Sequence, residues 1–173
     1  LMCFAESDYA GDMTPCRSRS GHIILLCNAA IYWSSKLQDT IALSSTAAEL
    51  TSISDLCRRL VWIAALMRHL TFPQRLVAIY EDNKPAIAVA YRENLSIRVR
   101  HMRIRDLWVR ELCRTDLCRI YYCATTDNLS DFFTKVLTGR PFKLAVAAFT
   151  GCNDVLFVAP PQRDLDNYDM LLT

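Results

Sequence analysis

The stretch Tyr32-Trp33-Ser34-Ser35-Lys36-Leu37-Gln38-Asp39-Thr40-Ile41-Ala42-Leu43-Ser44-Ser45-Thr46-Ala47-Ala48-Glu49-Leu50 determines how the rest of the chain can be arranged. It predicts an extended segment through Ile41 and Leu43 that leads directly into a long helix. Apolar residues recur at helical spacing after Ser44-Ser45-Thr46, which predicts a helix over residues 46–70. Its apolar face is wide, as expected for a helix that lies on a sheet beside a second helix.

Glu49 is the carboxylate in the first turn of this helix. Thr46 and Glu49 have the spacing of a capping box, in which Thr46 accepts from the helix start and Glu49 reaches back to the cap. The same carboxylate could instead project into a functional site. This stretch by itself leaves both interpretations open.

Length and composition are those of one globular domain. The 173 residues are 52% hydrophobic and 22% charged, which is enough to bury a single sizeable core. No apolar run reaches the roughly 18 residues of a membrane helix, and the N-terminus lacks a secretory signal. The eight cysteines form no CxxC pair and no Cys/His cluster. We expect reduced thiols in an intracellular, reducing compartment, either the cytoplasm, the nucleus or an organelle matrix.

Hydrophobic patterning predicts an α+β domain with the element order βββαβααβα. The first three strands are expected to form an antiparallel meander, because short turns join them. A helix with Pro85 in its first turn follows the fourth strand, where proline is tolerated. The predicted strands are residues 2–9, 22–27, 30–34, 76–80 and 118–123, and the helices after the long one are residues 85–91, 102–113 and 127–135.

Four carboxylates fall at comparable places in this order. Glu6 lies on the first strand and Glu49 opens the long helix, while Asp82 ends the fourth strand and Asp131 is on the last helix. If the fourth strand pairs with the first, as a strand–helix–strand crossover favours, all four converge at one end of the sheet. Two divalent metals about 3.5 to 4 Å apart would satisfy such a cluster. Capping, helix initiation and a solvated helix position are the alternatives for the last three.

Seven short motifs follow one another along the chain and carry a resemblance to a known family. Together they resemble the ribonuclease H domain of copia-type retrotransposon polyproteins, over residues 4–151. The motifs are Tyr9-Ala10-Gly11-Asp12, Arg17-Ser18-Arg19-Ser20-Gly21, Trp33-Ser34-Ser35-Lys36-x-Gln38, Ala42-Leu43-Ser44-Ser45-Thr46-x-Ala48-Glu49, Ile79-Tyr80-x-Asp82-Asn83, Arg98-x-Arg100-His101 and Asp131-x-x-Thr134-Lys135.

This resemblance implies a fold, an activity and a set of site residues. The implied fold, for residues 1–151, is ribonuclease H-like, with a mixed five-stranded sheet and helices on both faces. The implied activity is two-metal hydrolysis of RNA in RNA/DNA hybrids, with two Mg²⁺ ions, or Mn²⁺, as cofactors. The implied catalytic and metal-binding residues are Glu6, Glu49, Asp82 and Asp131.

The first strand departs from the family pattern. Alignment on Ala10-Gly11-Asp12 puts Glu6 where the family has its first metal-bridging aspartate, and Asp8 matches the second aspartate. Glu6 and Asp8 point the same way about 6.6 Å apart, so Asp8 is too far along the strand to replace Glu6. We therefore expect weakened activity. Other departures from the family pattern are Ala47, Arg103 and Leu107.

Basic residues are concentrated between Arg92 and Arg110. Six arginines and His101 stand against Glu93 and Asp106 in this segment. The cluster suits a phosphate backbone, although a solvated helix face gives the same pattern. The residues expected to contact an RNA/DNA hybrid or a structural RNA are Arg17, Arg19, Arg98, Arg100, His101 and Arg103.

Residues 152–173 form a segment of different character. They carry four aspartates against one arginine, and Pro160-Pro161 would break any helix. Nothing in this acidic tail resembles the family. We expect it to be either a docking arm for a protein partner or a read-through.

Two functions remain open from the sequence. The first is an active, Mg²⁺-dependent ribonuclease H. The alternative is a domesticated, catalytically inactive descendant that needs no cofactor and serves as a structural or RNA-binding subunit of a larger assembly, such as an organellar ribonucleoprotein.

Replacing Arg98, Arg100 and Arg103 with alanine should weaken the salt dependence of nucleic-acid binding. Each arginine that contacts a phosphate releases a counterion, so the slope of log affinity against log salt should fall by up to about 3 units. Fluorescence anisotropy with a labelled RNA/DNA hybrid at several salt concentrations measures that slope. An unchanged slope would assign the cluster to a protein interface or to bare surface.

Overall fold

Five strands and four helices make up the part of the chain that the structure describes. The computed structural model describes residues 1–12, 14, 16–74, 76–91 and 103–150. Two 3₁₀ turns, Thr125–Asp127 and Leu129–Phe133, follow the last strand. The strands are β1 (Met2–Asp12), β2 (Arg17–Leu26), β3 (Ala29–Leu37), β4 (Val77–Glu81) and β5 (Cys118–Tyr122), and the helices are α1 (Ser45–His69), α2 (Lys84–Tyr91), α3 (Arg103–Arg114) and α4 (Gly139–Thr150).

The strands form one mixed sheet in the order β3-β2-β1-β4-β5. β1, β2 and β3 are antiparallel neighbours, and β4 and β5 add on the other side of β1 in parallel. This arrangement confirms the predicted mixed five-stranded sheet and the pairing of β4 with β1. β1 and β4 run in the same direction and pair over Met2–Phe4 and Ala78–Tyr80, so the carboxyl end of β4 lies beside the middle of β1.

Helices cover both faces of the sheet, as expected. On one face, α1, α2 and α3 pack through residues such as Leu60, Ile87 and Val109 against Ile79 and its neighbours. On the other face, a cluster that includes Phe4, Tyr80 and Tyr121 is covered by Leu129, Phe133 and Phe149, from the second 3₁₀ turn and α4. Among the described residues, no helix is both long and apolar enough to cross a membrane.

The start of α1 differs from the sequence-based prediction. Ser44 is the cap, because its side chain accepts the backbone N–H of Ala47 at 3.1 Å. The capping box of Thr46 and Glu49 is therefore wrong, since Thr46 already lies inside the helix. The extended segment through Ile41 and Leu43 is also wrong: β3 ends at Leu37, and residues 38–44 form no regular structure.

The chain after β5 was the least well predicted. The expected helix over residues 127–135 is instead the end of one 3₁₀ turn followed by a second, because the side chain of Asn128 accepts the backbone N–H of Ser130 between them. α4 was not predicted at all. Tyr9 on β1 and Trp33 on β3 are large aromatic residues outside the core, 46% and 54% exposed.

A close approach at Gly21 places the second 3₁₀ turn on the sheet. Gly21 lies on β2 opposite Glu6 of β1. A Cβ atom there would lie 2.7 Å from the backbone oxygen of Ser130, 2.8 Å from Thr134 Cγ2 and 3.0 Å from Phe133 Cβ. The backbone of the turn can contact the strand this closely because position 21 carries no side chain.

Replacing Gly21 with alanine should destabilise the protein by about 1–3 kcal/mol, the usual cost of forcing extra volume into a packed interior. The clash involves backbone, which cannot rotate away. Urea unfolding followed by circular dichroism measures the change in the free energy of unfolding. An unchanged midpoint would mean that the turn is not held against β2 at this position.

Candidate metal centre

Four acidic side chains meet where the carboxyl end of β4 lies beside the middle of β1. One carboxylate oxygen from each of four residues lies within 4.8 Å of the others. Two of the four side chains sit on the strands, one directly follows β4 and one is in α1. The residues are Glu6, Glu49, Glu81 and Asp82. Three of them were predicted site residues, and Glu81 was not.

Local structure fixes where each carboxylate stands. Asp82 follows β4 directly, and Asn83 then caps α2 by accepting the backbone N–H of Ala86 at 3.0 Å. The chain therefore turns away from the sheet just after Glu81 and Asp82. Glu49 reaches the site because the cap at Ser44 starts α1 a turn before it.

Glu6 is held from three directions. Ser52 donates its hydroxyl to the backbone oxygen of Glu6 at 2.8 Å. Asn128 donates its amide to the backbone oxygen of Ala5 at 3.0 Å and to Glu6 Oε2 at 3.4 Å. Lys135 Nζ donates to Glu6 Oε1 at 2.8 Å. Asp8, two residues along the strand, is not in the cluster of four.

Asp131 reaches the site through Lys135 rather than by joining the four carboxylates. It lies on the second 3₁₀ turn and is 6% exposed. Lys135 Nζ donates to Asp131 Oδ1 at 3.0 Å and so bridges Asp131 and Glu6. A lysine ammonium thus occupies the space between two of the predicted metal ligands.

The donor set fits divalent cations. Carboxylate oxygens are the ligands that Mg²⁺ and Mn²⁺ prefer. Glu49 Oε2 and Glu81 Oε2 are fully buried, and no hydrogen-bond donor among the described residues reaches either of them. Buried acceptors normally have a hydrogen-bond partner. A cation bound by these two oxygens would supply the partner that they lack.

The sequence is similar to Pol polyproteins of plant transposons. The chain is 28% identical over 144 residues to the retrovirus-related Pol polyprotein from transposon TNT 1-94 of Nicotiana tabacum, which covers 83% of this chain. It is 31% identical, over the same share, to the Pol polyprotein from transposon RE1 of Arabidopsis thaliana. No protein-family model matches the sequence.

The chain is a homologue of copia-type retrotransposon Pol polyproteins. It spans about a tenth of the length of these relatives. The solved structure of LC11-RNase H1, isolated from compost by a metagenomic approach, has a TM-score of 0.56 to this domain at 12% identity, covering 76% of this chain and 90% of that one. This likeness shows that the retrotransposon-type domain has the ribonuclease H fold.

Burial makes the acidic side chains of this ribonuclease H-like domain hard to ionise. Burial raises the pKa of Glu6 to about 8, opposed by the hydrogen bond from Lys135. The pKa of Glu49 is raised by burial and then by the neighbouring Glu81, and burial also raises the pKa of Glu81 and of Asp131. The carboxylates can all be charged together only when cations are present.

The predicted nucleic-acid contacts are only partly described. Arg17 and Arg19 lie on β2, opposite Asp12 and Asp8 of β1. Arg103 begins α3. The other predicted contacts, Arg98, Arg100 and His101, lie outside the described residues, as does the acidic tail. Arg110, part of the basic cluster, is 6% exposed and donates to the backbone oxygen of Val89, so it is part of the interior.

Sequence reasoning missed three residues of the site. Glu81 was overlooked because Asp82 beside it carried the motif. Lys135 was noted only as part of a motif, although its spacing of four from Asp131 suits an ion pair. Asn128 gave no signal, because its hydrogen bonds to the Ala5 backbone and the Glu6 side chain each span more than 120 residues of sequence.

The stability of the metal-free domain should fall as pH rises from 6.5 to 8. Between its ordinary value of 4.5 and about 8, folded Glu6 keeps a proton that unfolded Glu6 loses, so deprotonation favours unfolding. Burial lowers the pKa of His22 to about 4. This residue therefore makes the stability rise with pH, but only below pH 6.5. Thermal unfolding in EDTA measures the trend.

The same measurement with Mn²⁺ gives the control. The cation should raise the midpoint more at pH 8 than at pH 6.5, because it binds the ionised carboxylates. The Glu6→Gln variant should show a shallower fall in EDTA. A midpoint that rises between pH 6.5 and pH 8 in EDTA would contradict the assignment of protonated carboxyl groups to the free site.

Proposed function

We propose that this domain hydrolyses the RNA strand of RNA/DNA hybrids in a reaction that depends on divalent cations. The observation that carries the proposal is the convergence of the Glu6, Glu49 and Asp82 carboxylates in a ribonuclease H-like fold. A second solved structure of LC11-RNase H1, which contains an RNA/DNA hybrid, supports the choice of substrate.

The cations are two Mg²⁺ ions, or Mn²⁺ in their place. When bound, they supply stabilisation of the charge at the phosphate and a more acidic attacking water. Asp131 belongs to the proposed set because Lys135 already links it to Glu6. The residues proposed to hold the ions are Glu6, Glu49, Asp82 and Asp131.

Neighbouring side chains orient the ligands before substrate arrives. Asn128 fixes the middle of β1 through the backbone oxygen of Ala5 and the side chain of Glu6. The hydroxyl of Thr125 donates to Asp82 Oδ2 at 2.6 Å. Ligands that are already positioned do not have to reorganise during the reaction, which is where much of the catalytic advantage of a preorganised site lies.

Lys135 has a separate role in this proposal. Its ammonium donates to Glu6 and to Asp131. Its side chain is 40% exposed, so part of it faces solvent. Its positive charge adds to that of Arg17, Arg19 and the basic segment around Arg98 in attracting a phosphate backbone.

A second candidate function is an inactive, RNA-binding or structural subunit. The observation that favours it is the same Lys135 contact, since an ammonium already satisfies Glu6 and Asp131 without any metal. The glutamate at position 6 also departs from the aspartate of the family. In this case the fold and the basic surface would be used without hydrolysis.

Replacing Glu6 with aspartate should raise the rate of hybrid cleavage. The glutamate carries one extra methylene, and misplacing a catalytic group by about 1 Å can cost on the order of 100-fold. We therefore expect weak cleavage by the natural sequence in Mg²⁺, faster cleavage in Mn²⁺, and a gain of up to about 100-fold with Glu6→Asp. A labelled RNA/DNA hybrid resolved on a denaturing gel gives the rate.

Two controls make the result interpretable. Adding Asp131→Asn to the Glu6→Asp protein should abolish cleavage, which excludes a contaminating nuclease. Single-stranded RNA should remain intact. Fast cleavage by the natural sequence, slowed by Glu6→Asp, would contradict the assignment of Glu6. If neither protein cleaves although both bind the hybrid, the structural function is preferred.

A further inference from the structure

Glu81 is a buried acidic residue at a position where the core would accept an apolar one. It is the last residue of β4 and is 0% exposed. Ile79, two residues earlier, belongs to the core beneath α1. Because side chains alternate along a strand, position 81 lies on that same face. An ionised carboxylate there is costly unless something compensates its charge.

The two oxygens of Glu81 have different surroundings. Oε1 accepts the backbone N–H of Asn83 at 3.1 Å and so helps to turn the chain into α2. Oε2 is completely buried, and no donor among the described residues reaches it. The hydrogen bond in the turn therefore accounts for the burial of Oε1, but it does not account for the burial of Oε2.

Glu81 also lies within the acidic cluster. One of its oxygens is within 4.8 Å of oxygens from Glu6, Glu49 and Asp82. Glu49, which comes from a different element, likewise has a buried oxygen, Oε2, that no donor in the described part of the chain reaches. Two such acceptors, from β4 and α1, in one cluster indicate a shared cationic ligand.

We infer that Glu81 is a further metal ligand, which binds the same divalent cation as Glu49. The four-carboxylate set of the proposed function does not contain this residue. The inference rests on the proposed function for the presence of the cation, and adds a side chain that binds it.

Glu81 also explains the presence of Lys135 in the site. The four carboxylates of the cluster and Asp131 together carry five negative charges when ionised. Two divalent cations balance four of these charges, and the ammonium of Lys135 balances the fifth. A lysine is compatible with two bound cations because Glu81 adds one carboxylate.

A proton shared between Glu49 and Glu81 is the competing explanation for the unpartnered oxygens. A glutamine at position 81 would replace that proton with the N–H of its own amide. Under the competing explanation, Glu81→Gln should leave cation affinity unchanged. Under our inference, the same variant removes a charged ligand while keeping the oxygen that accepts from Asn83.

The test is Mn²⁺ binding to the full chain, measured by electron paramagnetic resonance of the free ion and by titration calorimetry. Glu81→Gln should weaken the tighter binding event by on the order of tenfold or more, since ligand charge sets the affinity of such sites. Glu111→Gln is the matched control, because Glu111 is exposed on α3 and outside the cluster. Circular dichroism in EDTA checks that both variants fold.

The outcomes separate this inference from the proposed function. Equal Mn²⁺ affinity of Glu81→Gln and the natural sequence, with loss of binding in Glu49→Gln, overturns the role of Glu81 and leaves the proposed function standing. Weakened binding in Glu81→Gln without any hybrid cleavage by the natural sequence or by Glu6→Asp supports Glu81 as a ligand and overturns the function. A natural sequence that binds no Mn²⁺ overturns both.

Discussion

Repulsion among buried carboxylates is the constraint on which this site depends. The parallel pairing of β1 with β4 and the entry of α1 bring Glu6, Glu49, Glu81 and Asp82 together where little water can separate them. In such surroundings an ionised carboxylate is tolerated only when an opposite charge lies nearby. Lys135 provides part of that match from within the chain. The rest has to come from protons or from cations in solution.

This constraint links the stability of the domain to its chemistry. When the site is empty and its carboxylates are ionised, their repulsion destabilises the folded state. Bound cations remove that repulsion, so the free energy of cation binding adds to the free energy of unfolding. The contacts of Ser52 and Asn128 with the backbone of Glu6 and Ala5 hold the middle of β1 in place against that repulsion. The same contacts keep Glu6 oriented, so residues that protect the fold also prepare the site.

Most of the architecture could be predicted from the sequence because it follows from local patterns. Helical spacing in α1, alternation in the early strands and Pro85 at the start of α2 each reflect forces that act over a few residues. The cap at Ser44 was missed because neighbouring Ser and Thr residues offer equivalent hydroxyls, and only the backbone geometry selects one of them. α4 depends on packing against β3, and the second 3₁₀ turn depends on packing against β2. No local sequence pattern encodes these contacts.

The site was predictable to the extent that its residues lie in separate motifs. Glu6, Glu49 and Asp82 could be placed together from the strand order alone. The roles of Glu81 and Lys135 could not, because they depend on which oxygens lack donors and on where a long side chain ends. Such information exists only after the chain is folded.

Gly21 shows that position in the fold can matter as much as chemical identity. It carries no functional group, yet it sits opposite Glu6 and in contact with the turn that bears Asp131. A side chain at position 21 would push this turn, and Asp131 with it, away from the strand that pairs with Glu6. In a saturation mutagenesis screen, substitutions at position 21 would resemble substitutions of Glu6 or Asp131, although the variants would still contain every acidic residue of the cluster.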